Sequence, residues 1–440
     1  MVKKRKNRKK QIFINRIIVL FISILLMFGI VKVVGKILLP GDDIKNSASA
    51  ESGDNNDSTK DSTEESGNIK NDIDKDDSET VKDIEVTISA VGDIMFHPKE
   101  INGAYDSDSD SYDFKPFFEE VKTVLEKSDL AVGNYEGTSC GDDIYRYQGY
   151  PLFNAPDEVL DAMKYAGLDL LCTINNHSLD TGKQGVIRTY NKLDDRELKH
   201  VGTNLSEDEQ RVQIVDVKGI KIAFLAYTEM LNGLESRLSA DELAYMVNVF
   251  DEKKILEDIQ YAKENGADSI IMFAHWGYEY HRKPNQNQIN WTDFALKNGV
   301  DVILGSHPHV IQPFKFFSKD EKNLEDNYGE DKFVAYSMGN FVSNQRMEEC
   351  DLDPQTEDGV ITTIKLRKNI ESNTTEIVNI DYNPTWVYRT FDGENYHYKI
   401  LLVNENIDNS ELSDDVLKRI KRSKKDTEMQ LDYITKDEND

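Results

Sequence analysis

The sequence has very few cysteines for its length. Cys140, Cys172 and Cys350 are the only three in 440 residues, and they lie far apart in the chain. Their number and spacing exclude a fold stapled by several disulfides and a zinc site built on cysteine pairs. Cys172 ends an apolar run and is predicted to be a small core residue. A disulfide between Cys140 and Cys350 stays open at this stage.

Basic residues are also in deficit. The chain has 53 Lys and Arg against 81 Asp and Glu, which gives a formal net charge of −28 at pH 7. Residues 1–40 contain bases and no acid, whereas residues 41–83 and 84–440 are acidic. The acidic region of residues 84–440 excludes binding to nucleic acid through charge attraction. It would also repel a polyanionic polymer unless metals or local basic residues offset the field.

The N-terminal residues predict a single-pass membrane anchor. Residues 1–16 form a basic tail, and residues 17–35 form an apolar run about long enough to span a bilayer. Because basic flanks remain cytoplasmic, the protein is expected in the cell membrane with its C-terminal body extracellular. A cleaved signal peptide is the alternative, but Ile37–Pro40 offers no small-x-small cleavage site. Residues 41–83 are almost free of apolar side chains and are predicted to be a disordered acidic linker.

From Ile84 onward, short apolar runs alternate with amphipathic segments. This alternation predicts an α/β domain over residues 84–385, with hairpins that add antiparallel strands. Residues 386–440 are predicted to be a C-terminal extension, with a helix over Leu412–Lys421 and a loose charged tail from Lys424.

Histidines concentrate in loops that follow predicted strands. Phe273–Tyr280 and Leu304–Val310 each come after a short apolar run that is typical of a buried strand. Five of the eight histidines lie in loops of this kind: His97, His177, His275, His307 and His309. Ligands bind at the carboxyl ends of strands in α/β sheets, and imidazole is a common ligand of zinc, manganese and iron. The pattern therefore favours a metal site over five separate structural histidines.

Other strand ends carry carboxylates and amides. Asp93 follows the first strand, Asn134 and Glu136 follow the second, and Asn176 follows the third. A set of carboxylate, amide and imidazole groups at successive strand ends suits two divalent metals, which together can bind the attacking and leaving oxygens of a displacement.

The order of these motifs resembles the CapA family of poly-γ-glutamate capsule biosynthesis proteins and, more widely, the calcineurin-like metallophosphoesterase fold. The resemblance covers about Ile84 to Ile380. Its six motifs are Val91-Gly-Asp-Ile-Met95, Gly133-Asn-Tyr-Glu136, Asn175-Asn-His177, His275-Trp-Gly-Tyr-Glu279, Gly305-Ser-His-Pro-His309 and Tyr336-Ser-Met-Gly-Asn-Phe341. It implies a metallophosphoesterase-like sandwich of two sheets flanked by helices.

The resemblance also implies roles for single residues. Asp93 is similar to the metal-binding carboxylate of the first motif, and His177 to the acid that protonates the leaving group. Asn134 or Glu136 stands nearest to the bridging carboxylate of the second motif. The other implied metal ligands are Asn176, His275, His307 and His309. The implied cofactor is one or two divalent metal ions, Mn, Zn or Fe.

The first motif departs from the wider fold. Asp-x-His is expected there, but Ile94 and Met95 follow Asp93, and His97 comes two positions late. One metal position is therefore expected to be poorly occupied or to hold a different metal. His97 either restores that position or contacts the substrate.

Four residues near the motifs are predicted to bind the substrate: His97, Arg146, Trp276 and Glu279. The alternatives are core packing for Trp276 and an ordinary surface position for Arg146 and Glu279. Asp180 either orients His177 as part of the catalytic pair or caps the helix that follows.

Two functions remain open. One is a metal-dependent hydrolase or transferase at the outer cell face, acting on a phosphoester or on an amide of a γ-linked glutamate polymer. The other is a non-catalytic subunit of a capsule synthesis and export complex, which binds polymer or serves as a scaffold. Fold alone does not decide between them. The expected partners are the membrane, capsule synthase or export subunits and an anionic polymer, and no nucleic acid is expected.

Overall fold

The computed structural model describes residues 83–320, 328–350 and 353–431. The predicted tail at 1–16, the predicted span at 17–35 and nearly all of the predicted linker lie outside these ranges. Within the described ranges, no helix combines the length and the apolar character needed to cross a bilayer. The anchor therefore stays a prediction.

The described residues contain sixteen strands, most of them short and buried. In chain order they are β1 (Ile84–Ile94), β2 (Tyr105–Asp106), β3 (Ser111–Tyr112), β4 (Leu130–Tyr135), β5 (Leu170–Cys172), β6 (Lys199–Val201), β7 (Gln213–Val217), β8 (Ile220–Thr228), β9 (Ser269–His275), β10 (Val302–Ser306), β11 (Phe314–Phe317), β12 (Lys332–Ala335), β13 (Asn340–Val342), β14 (Asp358–Asn369), β15 (Thr374–Phe391) and β16 (Tyr396–Leu402).

Ten α-helices connect these strands within the same ranges. They are α1 (Pro98–Ala104), α2 (Glu119–Leu125), α3 (Glu158–Tyr165), α4 (Gly182–Asp194), α5 (Ala240–Met246), α6 (Glu252–Glu264), α7 (Gln286–Asn298), α8 (Met347–Cys350), α9 (Val403–Asn406) and α10 (Asp414–Leu431).

The strands form two mixed sheets and one short hairpin. The first sheet has the order β16-β15-β14-β1-β4-β5-β6, with β13 paired to the end of β1. Its strands β1, β4, β5 and β6 are parallel, and helical crossovers connect them. The second sheet has the order β11-β12-β10-β9-β8-β7, with four parallel strands between two antiparallel edges. The predicted α/β class is confirmed.

The two sheets pack face to face, and helices cover their outer faces. One core cluster joins Ile88 and Val132 of the first sheet to Phe224, Ile271 and Leu304 of the second. Two further clusters place α2 and α3 against the first sheet and α6 and α7 against the second. Full burial of each such side chain stabilises the fold by about 1.5–3 kcal/mol.

The predicted boundary at residue 385 does not mark the start of a separate C-terminal extension. β15 runs through this position, and β16 completes the first sheet beyond it. The helix predicted over Leu412–Lys421 is also longer, because α10 continues to Leu431. Leu431 is buried in the core between the sheets, so the segment from Lys424 is not a loose tail up to that point.

A bulge in β1 directs Asp93 to the edge of the sheet. Val91 pairs with Gly133 and Asp93 with Asn134, so Gly92 has no partner on β4. The main chain of Gly339 crosses here, and the amide of Asp93 donates to its carbonyl at 3.0 Å. A Cβ atom on Gly92 would lie 2.0 Å from that carbonyl oxygen. Only glycine therefore fits this position.

We expect Gly92→Ala to destabilise the protein by about 3 kcal/mol or more, because the added methyl group meets main-chain atoms that cannot rotate away. Gly329→Ala is the control, since a Cβ there meets nothing within 4 Å. Its left-handed backbone alone should cost about 1–2 kcal/mol. Urea denaturation measures both, and equal losses would show that the bulge is not sterically constrained.

Candidate metal centre

The carboxyl ends of parallel strands from both sheets meet at one edge of the sandwich. In the first sheet, β1 carries Asp93 as its next-to-last residue, β4 ends at Tyr135 next to Glu136, and the loop after β5 carries His177. β9 of the second sheet ends at His275, and β10 leads into the loop of His307 and His309. Residues up to 216 positions apart thus become neighbours.

Glu136 lies at the centre of this edge. It is 1% exposed, and neither of its carboxylate oxygens has a hydrogen-bond partner within the described part of the chain. Its Oε1 atom lies 3.7 Å from Nε2 of His309, 3.8 Å from Nε2 of His275 and 4.0 Å from Nε2 of His177. These distances are too long for hydrogen bonds. A buried carboxylate among three convergent nitrogens is the arrangement that a cation would satisfy.

Asp93 supports one side of the centre. Its Oδ2 atom lies 3.1 Å from Nδ1 of His309, and Asn134 donates to its Oδ1 atom at 2.9 Å. A carboxylate on one ring nitrogen fixes the tautomer that leaves the other nitrogen free for a metal. Asp93 therefore either binds a metal directly or orients His309. Asn134 Oδ1 is buried without a hydrogen-bond partner among the described residues.

His275 is held from both sides. Its Nδ1 atom lies 2.9 Å from Oγ of Ser306, and its Nε2 atom lies 2.9 Å from Oδ1 of Asn176. The amide of Asn176 donates in turn to Oδ1 of Asn232 at 3.4 Å. His307 has a buried Nδ1 atom without a hydrogen-bond partner in the described ranges. His275 of the second sheet is thus in contact with the side-chain amide of Asn176, which follows β5 of the first sheet.

The turn that carries the last two histidines has a strained backbone. His307 has a φ of +92° and His309 a φ of +57°. Such values are unfavourable for residues with a side chain and persist only where the surroundings enforce them. They aim both rings into the same pocket, with ring centroids 5.9 Å apart.

Among the residues that the structure describes, three groups bring ligand atoms within 4.8 Å of one another: Glu136, His275 and His307; Asp93, Glu136 and His309; and Glu279, His307 and His309. Glu136 belongs to the first two groups. Asn134 and Glu136 are the two candidates for a ligand that bridges two metals, and of these Glu136 is the one that belongs to two of the groups. The residue types fit one or two divalent metals.

Burial sets the protonation of these groups. Burial, followed by the neighbouring histidines, lowers the pKa of His275 well below its ordinary value. The same causes lower the pKa of His307 to about 3. Burial and then the charge of Asp93 raise the pKa of Glu136 well above its ordinary value. The imidazoles of His275 and His307 are therefore neutral and ready to bind a metal, and a bound cation would reverse the shift of Glu136.

His177 and Asp180 form a hydrogen-bonded pair beside the centre. Nδ1 of His177 lies 2.7 Å from Oδ2 of Asp180, which also accepts from the amide of Phe153 at 2.6 Å. Burial raises the pKa of Asp180. The N-cap of α4 is Thr181, so Asp180 orients His177 and does not cap that helix.

The predicted substrate residues have different surroundings. Trp276 does not have the surroundings predicted for a substrate-binding residue. Its side chain is fully buried, stacks on Phe250 and donates to the carbonyl of Tyr336, so it is a core residue. It directly follows His275, the last residue of β9, and adjacent residues of an extended chain face opposite sides. Glu279 is exposed and within reach of the last two histidines.

His97 and Arg146 lie outside the three ligand groups. Nδ1 of His97 accepts from the amide of Asn344 at 3.2 Å, and its ring packs edge-on against Phe153 at 5.1 Å. Phe153 in turn packs against His177 at 4.7 Å. Arg146 is exposed on the loop before Phe153. The ring of Phe153 thus lies between His97 and His177, the predicted acid. The contacts of His97 do not place it among the candidate metal ligands.

Three supporting residues were not predicted. Ser306 and Asn340 lie inside recognised motifs, and only their contacts with His275 and His309 identify their roles. Asn232 comes from the loop after β8, and no sequence signal connects it to Asn176.

Residues 87–345 match the family described as bacterial capsule synthesis protein PGA_cap. This match covers more than half of the chain. The chain belongs to this family. The matched range includes every residue discussed above as a possible metal ligand, and the resemblance to CapA proteins is confirmed.

Two relatives carry descriptive names. The chain is 28% identical over 295 residues to the capsule biosynthesis protein CapA of Bacillus anthracis, with 64% of each chain covered. It is 26% identical over 295 residues to the PGA biosynthesis protein CapA of Bacillus subtilis, with 66% of this chain and 70% of that protein covered. The chain thus matches somewhat less than two thirds of the length of the first relative.

Solved structures match the chain at low similarity. The calcineurin-like phosphoesterase YfkN from Bacillus subtilis is 15% identical with a TM-score of 0.40, covering 79% of this chain and 98% of that one. A phosphatase from Mycoplasma pneumoniae is 11% identical with a TM-score of 0.37, covering 69% and 94%. Similarities at this level say nothing about activity.

We expect the affinity for Mn²⁺ to increase with pH. Because the Glu136 pKa is raised, the metal displaces a proton from that carboxyl group, and affinity should rise up to about tenfold per pH unit below its pKa. Calorimetry in buffers of different protonation enthalpy should detect about one proton released per Mn²⁺. Glu136→Gln should abolish the tight binding. Equal affinities from about pH 5 to about pH 8 would contradict the assignment.

Proposed function

We propose that this protein is a membrane-anchored, extracellular capsule-biosynthesis protein with a metal-dependent hydrolase site. The observation that carries the proposal is the buried carboxylate of Glu136, which has three imidazole nitrogens around it and no hydrogen bond within the described ranges. The relatives' names concern capsule and PGA biosynthesis, which supports a poly-γ-glutamate type of polymer as the substrate.

The residues that would hold the metal are Asp93, Glu136, Asn176, His275, His307 and His309. A bound divalent cation supplies a Lewis acid for a phosphoryl or carbonyl oxygen. Neutral histidines keep the net charge of the centre from becoming strongly negative, which favours an anionic substrate in an otherwise acidic protein.

His177 is suited to move a proton. Asp180 holds its Nδ1 atom, so its Nε2 atom points towards Glu136 at 4.0 Å without touching it. When both ring nitrogens carry a proton, Nδ1 donates to Asp180, and the proton on Nε2 can be donated to a leaving nitrogen or oxygen bound beside the metal ligands, which leaves His177 neutral. Phe153 packs on the ring and limits its rotation.

We expect His177→Ala to retain metal and fold but to lose activity by about 10²–10⁴-fold, because only the proton donor is removed. His275→Ala should lose metal as well. His397→Ala is the control, since this histidine is half-exposed and pairs with Asp392 away from the centre. Polymer output of cells and metal content of the purified protein are the measurements. Normal output from His177→Ala would contradict the hydrolase.

A polymer-binding or scaffold role is the second candidate. It is favoured by Met95, which stands where the wider fold has a metal-binding histidine and is buried at 1% exposure. Under this alternative the capsule synthase or export subunits would be the partners that matter. Bound metal together with normal output from His177→Ala would support it.

We also expect the body to face the outside of the cell. Protease applied to intact cells should cut within residues 41–83 and release the body, because the predicted span leaves the linker outside. A body that is cut only after the membrane is opened would contradict this orientation.

A further inference from the structure

The C-terminal helix α10 lies beyond the part of the chain that matches the family, which ends at residue 345. It packs on the body through Ile420, Ser423, Thr427 and Leu431, all of which are buried. Half of this face consists of hydroxyl side chains. Ion pairs and hydrogen bonds of other α10 side chains add to this packing.

The C-terminal half of α10 binds the loop that follows His275. Nη2 of Arg282 donates to the carbonyl of Asp426 at 2.7 Å, and Nε2 of Gln430 donates to the carbonyl of Arg282 at 2.7 Å. The contact is reciprocal, because each side supplies one donor and one carbonyl acceptor. It fixes both the side chain and the backbone of Arg282.

The same loop is attached to the metal centre on its other side. The amide of Tyr280 donates to the carbonyl of Pro308 at 2.7 Å, between His307 and His309. Gln312 Nε2 donates to the carbonyl of His281 at 2.7 Å. The loop of residues 276–285 is thus held between the last two histidines and α10.

The N-terminal half of α10 reaches the centre by a second route. Arg419 pairs with Glu357, and Arg422 Nη1 lies 2.6 Å from Oδ2 of Asp358. The preceding residue, Thr356, accepts at its carbonyl from Nδ2 of Asn340 at 2.9 Å. Oδ1 of Asn340 lies 3.1 Å from Nδ1 of His309.

We propose that α10 is a clamp that positions the two loops of the metal centre, with Arg282 as the positioning residue. The proposal rests on the metal centre of the proposed function. Loops contribute little to a core and open locally unless something fixes them, and a metal site needs its ligands held in place. In this chain, the element that fixes the loops is α10, which lies beyond the residues that match the family.

Arg282→Ala tests the clamp in the full-length chain. Hydrogen exchange of the metal-free protein should become about tenfold faster at amides 277–285 and stay unchanged in the strands of the core. Mn²⁺ binding should weaken by about three- to tenfold, because the histidine turn loses its support. Arg282→Lys retains a donor and should restore part of both properties.

Lys425→Ala is the matched control, because it removes one positive charge from an exposed position of α10 itself. It should change neither property. Unchanged exchange at 277–285 in Arg282→Ala would overturn the clamp, and so would exchange that is faster throughout the body. If the wild type binds no Mn²⁺ while the variant still loosens only this loop, the clamp stands and the proposed metal site fails.

Discussion

The structure depends on one constraint, a carboxylate buried among imidazoles where two sheets meet. An isolated ionised carboxylate is costly to bury, so Glu136 must either keep a proton or face a cation. Neither oxygen accepts a hydrogen bond from the described residues around it. The bulge at Gly92, the strained turn of His307 and His309 and the amide of Asn176 all bring groups towards this carboxylate. The bulge and the strained turn, which are each unfavourable on their own, therefore both lie around Glu136.

The chain as a whole is negatively charged, whereas burial favours the neutral forms of groups in the metal centre. The chain is strongly acidic, with a net charge of −28, yet burial raises the pKa of Glu136 and lowers the pKa of His275, so both shifts favour the neutral form of the group. Binding a divalent cation would offset the charges of Asp93 and Glu136 and so make this edge less negative than the rest of the chain.

Much of the fold and of the site could be predicted from the sequence, because each motif follows a strand. Parallel strands bring their carboxyl ends to one edge, so Asp93, Glu136 and His275 had to be close once the sheets were recognised. Trp276 was assigned to the substrate, with core packing as the alternative, although its place directly after His275 at the end of β9 turns it to the opposite side. The contacts of Asn232 and Arg282 could not be predicted, because they depend on loop conformations and on the docking of α10. The boundary at residue 385 failed because one long strand of mixed polarity continues through it.

Anomalous X-ray diffraction from crystals grown with Mn²⁺ tests the central claim most directly. The account predicts a strong peak about 2.0–2.5 Å from a carboxylate oxygen of Glu136 and from Nε2 of His275 or His309. A crystal that shows no anomalous peak at this edge, with Glu136 hydrogen-bonded to protein or water, would contradict it.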